Sequence, residues 1–479
     1  MKLTYDIKDK PKFGQLIIFA FQQLLAILAA TIAVPSIVGN GMSQSAALFG
    51  AGIGTIVYLL FTKFRSPVFL GSSFAFLGSM FAAFAGAASA EAGYAGIILG
   101  AIFAGLVYVI IAIVVKVAGV KWIDKLMPAV VIGPTVSIIG LSLAGNAIGD
   151  LTTGKVLTES VPELIVNGNV IDLLANSVTL NGDAVGSSMV SAASPYVALI
   201  CGIITLFAVM IASVFGKKMA KLIPFIIGIL AGYAAAAIFT VIGIKTGNAS
   251  LQIIDFSVFK DMSIFAVPDF TFINAAKGLG DIDGQYIATI AVAYVPVAFV
   301  VFAEHIADHK NLSSVVNKEL LEDPGLHRTL LGDGVGSMAG AFFGGCPNTT
   351  YGESVGCVAI TGNASIITIL TTAIMAIIIS FFGPFVTFLS TIPNCVMGGV
   401  CITLYGFIAV SGLKMIQKVD LDQNKNLFVV AVILICGIGG LTLSFGKITL
   451  TEIACALILG IITNVILSRK KEDNAEEAA

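Results

Sequence analysis

Long apolar segments separated by short polar connections run through almost the whole chain. Each segment is roughly 20 residues long, enough for a helix to cross about 30 Å of hydrocarbon. The pattern predicts an all-α polytopic membrane protein. About fourteen spans are expected, at residues 13–36, 46–62, 66–86, 93–117, 122–146, 194–214, 219–243, 284–306, 327–343, 345–361, 363–384, 390–411, 425–442 and 449–467.

The composition excludes an ordinary soluble domain. Of the 479 residues, 57% are hydrophobic and only 11% are charged, whereas about 25% of a soluble domain is charged. A net charge of −2 gives no reason to expect a nucleic-acid partner, so the expected surroundings are the lipid bilayer. The seven cysteines lie in apolar segments without a C-x-x-C pair, which favours buried thiols over disulfides or metal ligands.

Lysine and arginine residues are concentrated in alternate connections. With a cytoplasmic N-terminus, the inner connections hold most of them, whereas the two longest outer loops, 147–193 and 244–283, hold few. The positive-inside rule therefore predicts that the N-terminal segment 1–12 and the tail 468–479 are both cytoplasmic, in a cytoplasmic (inner or plasma) membrane. The two outer loops are interpreted as solvated connectors.

Two of the predicted spans begin with residues that break helices. The third opens RSPVFLGSSFAF (65–76) and the tenth opens GGCPNTTYGES (344–354). Ser72-Ser73-Phe74-Ala75 matches Thr349-Thr350-Tyr351-Gly352, seven spans later. An odd offset gives the two halves opposite topology, which predicts a 7+7 inverted repeat with two broken helices, each preceded by a short extended segment.

Carboxylates occur at two places inside the apolar sequence. Glu353 follows the breaker-rich start of the tenth span, and Glu304 and Asp308 lie in FAEHIADHKNL, 302–312. Glu304 and Asp308 are about 40° apart on one helical face. Two neighbouring carboxylates disfavour double ionisation, so one of them should hold a proton, as a proton carrier requires. The alternative is that this segment is simply the charged cytoplasmic end of a helix.

The same segment keeps an enzyme hypothesis open. His305, Asp308 and His309 form H-x-x-D-H, which is close to a zinc-hydrolase motif. An intramembrane metallohydrolase is therefore one alternative. It is disfavoured because an aspartate replaces the general-base glutamate and no further ligand set accompanies the motif.

Several motifs together resemble the nucleobase–cation symporters of the nucleobase–ascorbate transporter family, most closely its uracil branch. The resemblance covers most of residues 13–467. It is carried by FQQLLAILAATIAVP (21–35), GSSFAF (71–76), AEH (303–305), DPGLHR (323–328) and PNTTYGE (347–353).

The resemblance implies fourteen spans in two domains and no enzymatic activity. Spans 1–4 (13–117) and 8–11 (284–384) would form a core domain. Spans 5–7 (122–243) and 12–14 (390–467) would form a gate domain, through which a homodimer could assemble. The core would move against the gate by alternating access.

The resemblance also implies a substrate site. Glu304 and Glu353 would bind the N–H groups of the base, and the backbone N–H groups of Phe74 and Gly352 its carbonyls. The other positions implied to line the pocket are Ala30, Tyr351 and Tyr405.

Proton-coupled uracil uptake is therefore the expected function, with no cofactor apart from the coupling proton. Coupling would use Glu304 and Asp308, with Ser73 as a hydrogen-bond partner of position 308. Two departures affect this expectation. Asp308 stands where uracil permeases commonly have histidine, and an aspartate at this position resembles the xanthine branch. Ser354 stands where the family usually has asparagine. A symporter for xanthine or another purine base remains the nearest alternative, and an anion transporter of the same architecture a more distant one.

Overall fold

The fold is described from a computed structural model over residues 3–119, 128–154, 157–166, 169–172, 185–191, 193–217, 219–260, 262–445 and 448–476. The start of the predicted fifth span, parts of the loop 147–193 and the last three residues of the tail lie outside these ranges.

Helices make up most of the described chain. They are α1 (Phe13–Val38), α2 (Gln44–Phe61), α3 (Leu77–Ala85), α4 (Ala90–Ala118), α5 (Ala129–Ser142), α6 (Ala144–Asp150), α7 (Pro195–Phe215), α8 (Met219–Leu222), α9 (Pro224–Thr246), α10 (Thr271–Lys277), α11 (Gly284–Val316), α12 (Leu326–Gly344), α13 (Gly352–Thr361), α14 (Ile366–Ile379), α15 (Gly383–Thr391), α16 (Asn394–Ile416), α17 (Asn424–Ile438) and α18 (Glu452–Glu476).

Short strands interrupt the helices in three places. β1 (Leu70–Ser72) pairs with β5 (Asn348–Thr350). β2 (Leu157–Val166), β3 (Asn169–Asp172) and β4 (Val185–Ser191) form a sheet in the order β3-β2-β4, inside the loop predicted at 147–193. β6 (Leu443–Phe445) pairs with β7 (Ile448–Leu450).

The helices confirm a multi-pass membrane protein. Within the described residues, eight helical segments are long and apolar enough to cross a membrane: Phe13–Val38, Gln44–Phe61, Ala90–Ala118, Ala129–Asp150, Pro195–Phe215, Pro224–Thr246, Gly284–Val316 and Asn394–Ile416. Shorter apolar helices accompany them. The total of fourteen spans and the inverted repeat stay predictions.

One predicted boundary is displaced in a way that matters for the site. The eighth span was expected to end at residue 306, but α11 continues to Val316, where Asn317 ends it in the left-handed conformation. Glu304 and Asp308 therefore lie well inside a helix. This disfavours the interpretation of the segment as a charged helix end.

The helices pack in two groups. In the first, α12 packs against α2 and α4, α1 packs against α2 and α14, and α11 packs against α4. In the second, α16 packs against α5 and α7, α7 packs against α9, and α17 packs against α5 and α18. The groups meet where α1 contacts α9 and α16, and where α11 contacts α5 and α18. The division of the chain into a moving core and gate stays a prediction.

Glycines bring α2 and α12 into close contact in the first group. A Cβ atom on Gly50 would lie 2.5 Å from the carbonyl oxygen of Gly340, and one on Gly54 would lie 2.7 Å from that of Gly336. Small residues spaced four apart allow helix backbones to approach closely in this way. The Asn348 side chain fits against the same glycines, which positions β5 beside this helix pair.

Candidate functional site

The two segments with helix breakers meet as an antiparallel strand pair. Leu70 pairs with Thr350, Gly71 with Thr349 and Ser72 with Asn348. A helical turn follows each strand: a 3-10 turn begins at Phe74 and leads into α3, and α13 begins at Gly352. The first N–H groups of a helix have no partner within the helix, so both starts can offer free donors.

The hydrogen bonds at the two ends of this pair are symmetric. Ser73 N donates to the Pro347 carbonyl over 2.9 Å, and Tyr351 N donates to the Phe69 carbonyl over 3.2 Å. The symmetry equates Phe74 with Gly352, whereas the sequence match had equated Ala75 with Gly352. The match was displaced by one residue because both segments carry two adjacent hydroxyl side chains, so a slip of one position still aligns a serine with a threonine.

Glu304 and Asp308 lie on α11, and Glu353 lies in the first turn of α13. All three side chains are partly exposed. The residue that follows Asp308, His309, is buried. The three carboxylates are close enough to interact electrostatically. The space at the start of α13 is open, since a Cβ atom on Gly352 would find only Asp308 Oδ1 within 4 Å, at 3.8 Å.

Asp308 is bound to the strand pair. Its Oδ2 atom accepts a hydrogen bond from Thr350 Oγ1 over 2.8 Å. The donor lies on β5, at the residue that pairs with Leu70. The contact links α11 directly to the strand that leads into α13. The expected role of Ser73 as a hydrogen-bond partner of position 308 stays a prediction.

The two histidines of α11 lie on an adjacent face of the helix, which is buried. His305 Nδ1 lies 2.7 Å from Asp333 Oδ2, and its Nε2 lies 2.9 Å from Thr329 Oγ1. His309 Nδ1 donates to the His305 carbonyl over 2.8 Å, while its Nε2 lies 2.7 Å from the Tyr58 hydroxyl. The sequence analysis missed Asp333, although a carboxylate between two glycines inside the predicted span 327–343 was a visible signal.

This arrangement does not assemble the suggested metal motif. His305, Asp308 and His309 bind three different partners, on α12, β5 and α2 respectively. No cluster of three or more potential metal ligands occurs within the described ranges of the chain.

Ser354 connects three segments behind the carboxylates. Its Oγ atom accepts from Gln23 Nε2 over 2.6 Å and from Phe69 N over 3.0 Å. It is fully buried. The residue that departs from the family pattern thus joins α1, the approach to β1, and α13, and it is not exposed to the space in front of Glu353.

The remaining predicted site residues are buried around the strand pair. Tyr351 donates its hydroxyl to the Ser72 carbonyl over 2.7 Å, and its ring occupies the space where a side chain at Gly71 would lie. The rings of Phe74 and Tyr405 meet edge to face, 5.9 Å apart, and thereby join the two helix groups. Ala30 is buried on α1.

A solved structure has the same overall fold. The transmembrane domain of the cyanobacterial bicarbonate transporter BicA superposes with a TM-score of 0.60, over 96% of this chain and 100% of that one, at 16% identity. Together with the apolar helices, this fold places the chain among polytopic membrane proteins.

The sequence comparisons identify the family. A model of the Permease family matches residues 14–181 and 171–445. The uracil permease of Bacillus caldolyticus is 37% identical over 469 residues, covering 97% of this chain and 95% of that protein. The uracil permease of Bacillus subtilis is 35% identical over 479 residues, covering 99% and 98%. The chain belongs to the Permease family, whose members are transporters and not enzymes.

Proposed function

We propose that the protein is a proton-coupled symporter that takes up uracil or a closely related nucleobase by alternating access. One observation carries the proposal: the β1–β5 pair brings two helix starts together beside three partly exposed carboxylates. The named relatives, uracil permeases, support the choice of substrate.

The site offers groups that complement a neutral, planar base. Glu304 and Glu353 accept hydrogen bonds from its N–H groups. The backbone N–H groups of Phe74 and Gly352 donate to its carbonyls. A site with this pattern rejects analogues that leave its own polar groups unpaired.

Ala30, Tyr351 and Tyr405 complete the pocket. Because Tyr405 lies on α16 and Phe74 precedes α3, their ring contact closes the pocket across the two helix groups. Carboxylates in this position disfavour an anionic substrate, so the fold shared with a bicarbonate transporter carries no inference about cargo.

Proton coupling is assigned to Glu304 and Asp308, with Ser73 at the neighbouring helix start. Asp308 is hydrogen-bonded to Thr350, two residues before Gly352. A proton on Asp308 would weaken it as a hydrogen-bond acceptor, and this would act on the strand that positions the Gly352 N–H group. No cofactor is needed besides the coupling proton.

Alternating access would come from movement between the two helix groups. In this proposal fourteen spans form two inverted sevens, with the strand pair near the bilayer midplane. The protein lies in the cytoplasmic membrane with both termini cytoplasmic, and it dimerises through the second helix group, the predicted gate.

A binding panel tests the substrate. The melting temperature of the purified protein is measured with uracil, thymine, xanthine, hypoxanthine and bicarbonate, since a ligand that binds only the folded state raises it. Uracil is expected to give the largest increase. A larger increase with xanthine would transfer the proposal to the purine branch, and an increase with bicarbonate alone would contradict it.

Transport assays test the site. Glu353→Gln and Glu304→Ala are each expected to abolish uracil uptake while the protein remains in the membrane. Glu319→Gln, which changes an exposed carboxylate just beyond the end of α11, is the matched control and should transport normally. Normal uptake by either site variant would show that the assigned site is wrong.

A further inference from the structure

A small cavity lies where α4, α12 and β5 meet, beside the strand pair. Its polar lining residues are Tyr108, Asp333, Ser337, Asn348 and Thr349, and apolar residues of α4, α11 and the 3-10 turn complete it. Beside it α4 and α12 approach closely, since a Cβ atom on Gly334 would lie 2.7 Å from that of Tyr108.

Four buried polar atoms lack a partner within the part of the chain that is described: Tyr108 OH, Asp333 Oδ1, Ser337 Oγ and Asn348 Oδ1. Their residues are 4%, 1%, 6% and 1% exposed. The other polar atoms of the two acceptor side chains are satisfied, since Asp333 Oδ2 faces His305 and Asn348 Nδ2 donates to the Gly50 carbonyl. Buried polar groups in proteins nearly always have a partner, often an internal water.

We propose that this cavity is the binding site of one structural water molecule. Its two hydrogens would go to Asp333 Oδ1 and Asn348 Oδ1. Its two lone pairs would accept from the hydroxyls of Tyr108 and Ser337. Two acceptors and two donors match the hydrogen-bonding capacity of one water, and the cavity has room for about one such molecule.

The water would hold β5 in place. Asn348 is the residue of β5 that pairs with Ser72, so the water ties the strand pair to α4 and α12. Through Asp333 and His305 the same contact reaches α11, on the helix face next to the one that carries Glu304 and Asp308. The site is thus a positioning element, and its existence does not depend on which substrate is transported.

A sodium ion is the competing occupant, because all four atoms are oxygens and one belongs to a carboxylate. Geometry favours water, since Asp333 already faces a histidine and two of the four groups are hydroxyls able to donate. The first experiment is an experimental map of the purified full-length protein at a resolution that shows waters, in sodium and in choline buffer. One density peak within hydrogen-bonding distance of the four atoms in both buffers is expected. Absence of the peak, or its loss in choline, would overturn the proposal.

Two substitutions add a thermodynamic test. Ser337→Val fills the cavity with carbon and expels the water, so it should lower the melting temperature by more than Thr372→Val. Thr372 is also a buried hydroxyl of the first helix group, bonded to the Thr368 carbonyl over 2.8 Å, but lies outside the cavity.

Ser337→Ala keeps the space and three of the partners, so its map should retain the peak. This variant keeps the test decisive if Ser337→Val does not fold. A melting temperature of Ser337→Val equal to or above that of Thr372→Val, or loss of the peak in Ser337→Ala, would contradict the assignment.

Discussion

Adding one methyl group at Gly352 should separate folding from substrate binding. The Cβ atom of Gly352→Ala would meet no protein atom within 4 Å except Asp308 Oδ1 at 3.8 Å, which is an ordinary contact. The protein therefore has room for the methyl, and alanine in place of glycine stabilises a helix by up to about 1 kcal/mol. In the proposed site, however, the methyl occupies the space where the base approaches the Gly352 N–H group.

The expected cost to binding follows from packing. Forcing an extra methyl into a fitted contact costs about 1–3 kcal/mol, which corresponds to a roughly 5- to 150-fold higher dissociation constant. The variant should melt at the same temperature as the unchanged protein or slightly higher, but bind uracil at least about fivefold more weakly.

Gly356→Ala is the matched control on the same helix. Its Cβ atom would find nothing within 4 Å, and it lies one turn beyond the site. Thermal melting should show the same stabilisation as for Gly352→Ala. Isothermal titration with uracil should show an affinity equal to that of the unchanged protein. If Gly352→Ala binds uracil as tightly as Gly356→Ala, the base does not contact the start of α13, and the site assignment fails.

Three further predictions concern coupling, the buried serine and the N-terminal segment. Uracil uptake into cells should collapse with a protonophore and be indifferent to replacement of sodium by choline; sodium dependence would contradict proton coupling. Ser354→Ala leaves Gln23 Nε2 and Phe69 N without their acceptor, so we expect a loss of about 1–3 kcal/mol, measured as a lower melting temperature, and an unchanged melting temperature would refute this role. The Lys318 ammonium lowers the pKa of Asp6 below its ordinary value. The stabilisation it contributes is present above that ordinary value and is lost as pH falls through the lowered one. The hydrogen-exchange protection factors of residues 3–9, which are corrected for the intrinsic pH dependence of amide exchange, should therefore fall only in acid, and Lys318→Met should weaken this pH dependence.

The sequence predicted the long helices well because a membrane requires roughly 20 apolar residues in a row. It predicted a short extended segment at each of the two places where β1 and β5 lie, for a different reason: proline, glycine and hydroxyl residues are improbable in the middle of a regular span. It could not predict the register, because the strands are only three residues long and their register is determined by backbone hydrogen bonds.

The partners of the buried polar residues were the least predictable part of the site. His305 and Asp308 are close in sequence, but His305 is buried whereas Asp308 is partly exposed, and their partners are residues 333 and 350 on different elements. Which face of a helix meets which neighbour depends on packing between distant segments. The glycine contacts between α2 and α12 are one example of such packing, and no local pattern around residue 305 contains that information.

The strand β5 gives the proposed coupling a short physical path. Thr350 binds Asp308, and two residues later Gly352 offers its N–H group to the proposed substrate. Asn348, at the other end of the strand, binds α2 and lines the proposed water site. Any change in the hydrogen bond at Asp308 thus acts on the backbone that forms the substrate site, without a chain of intermediate residues. Coupling of this kind needs β5 to be held firmly at Asn348, because a loosely held strand would absorb the change locally.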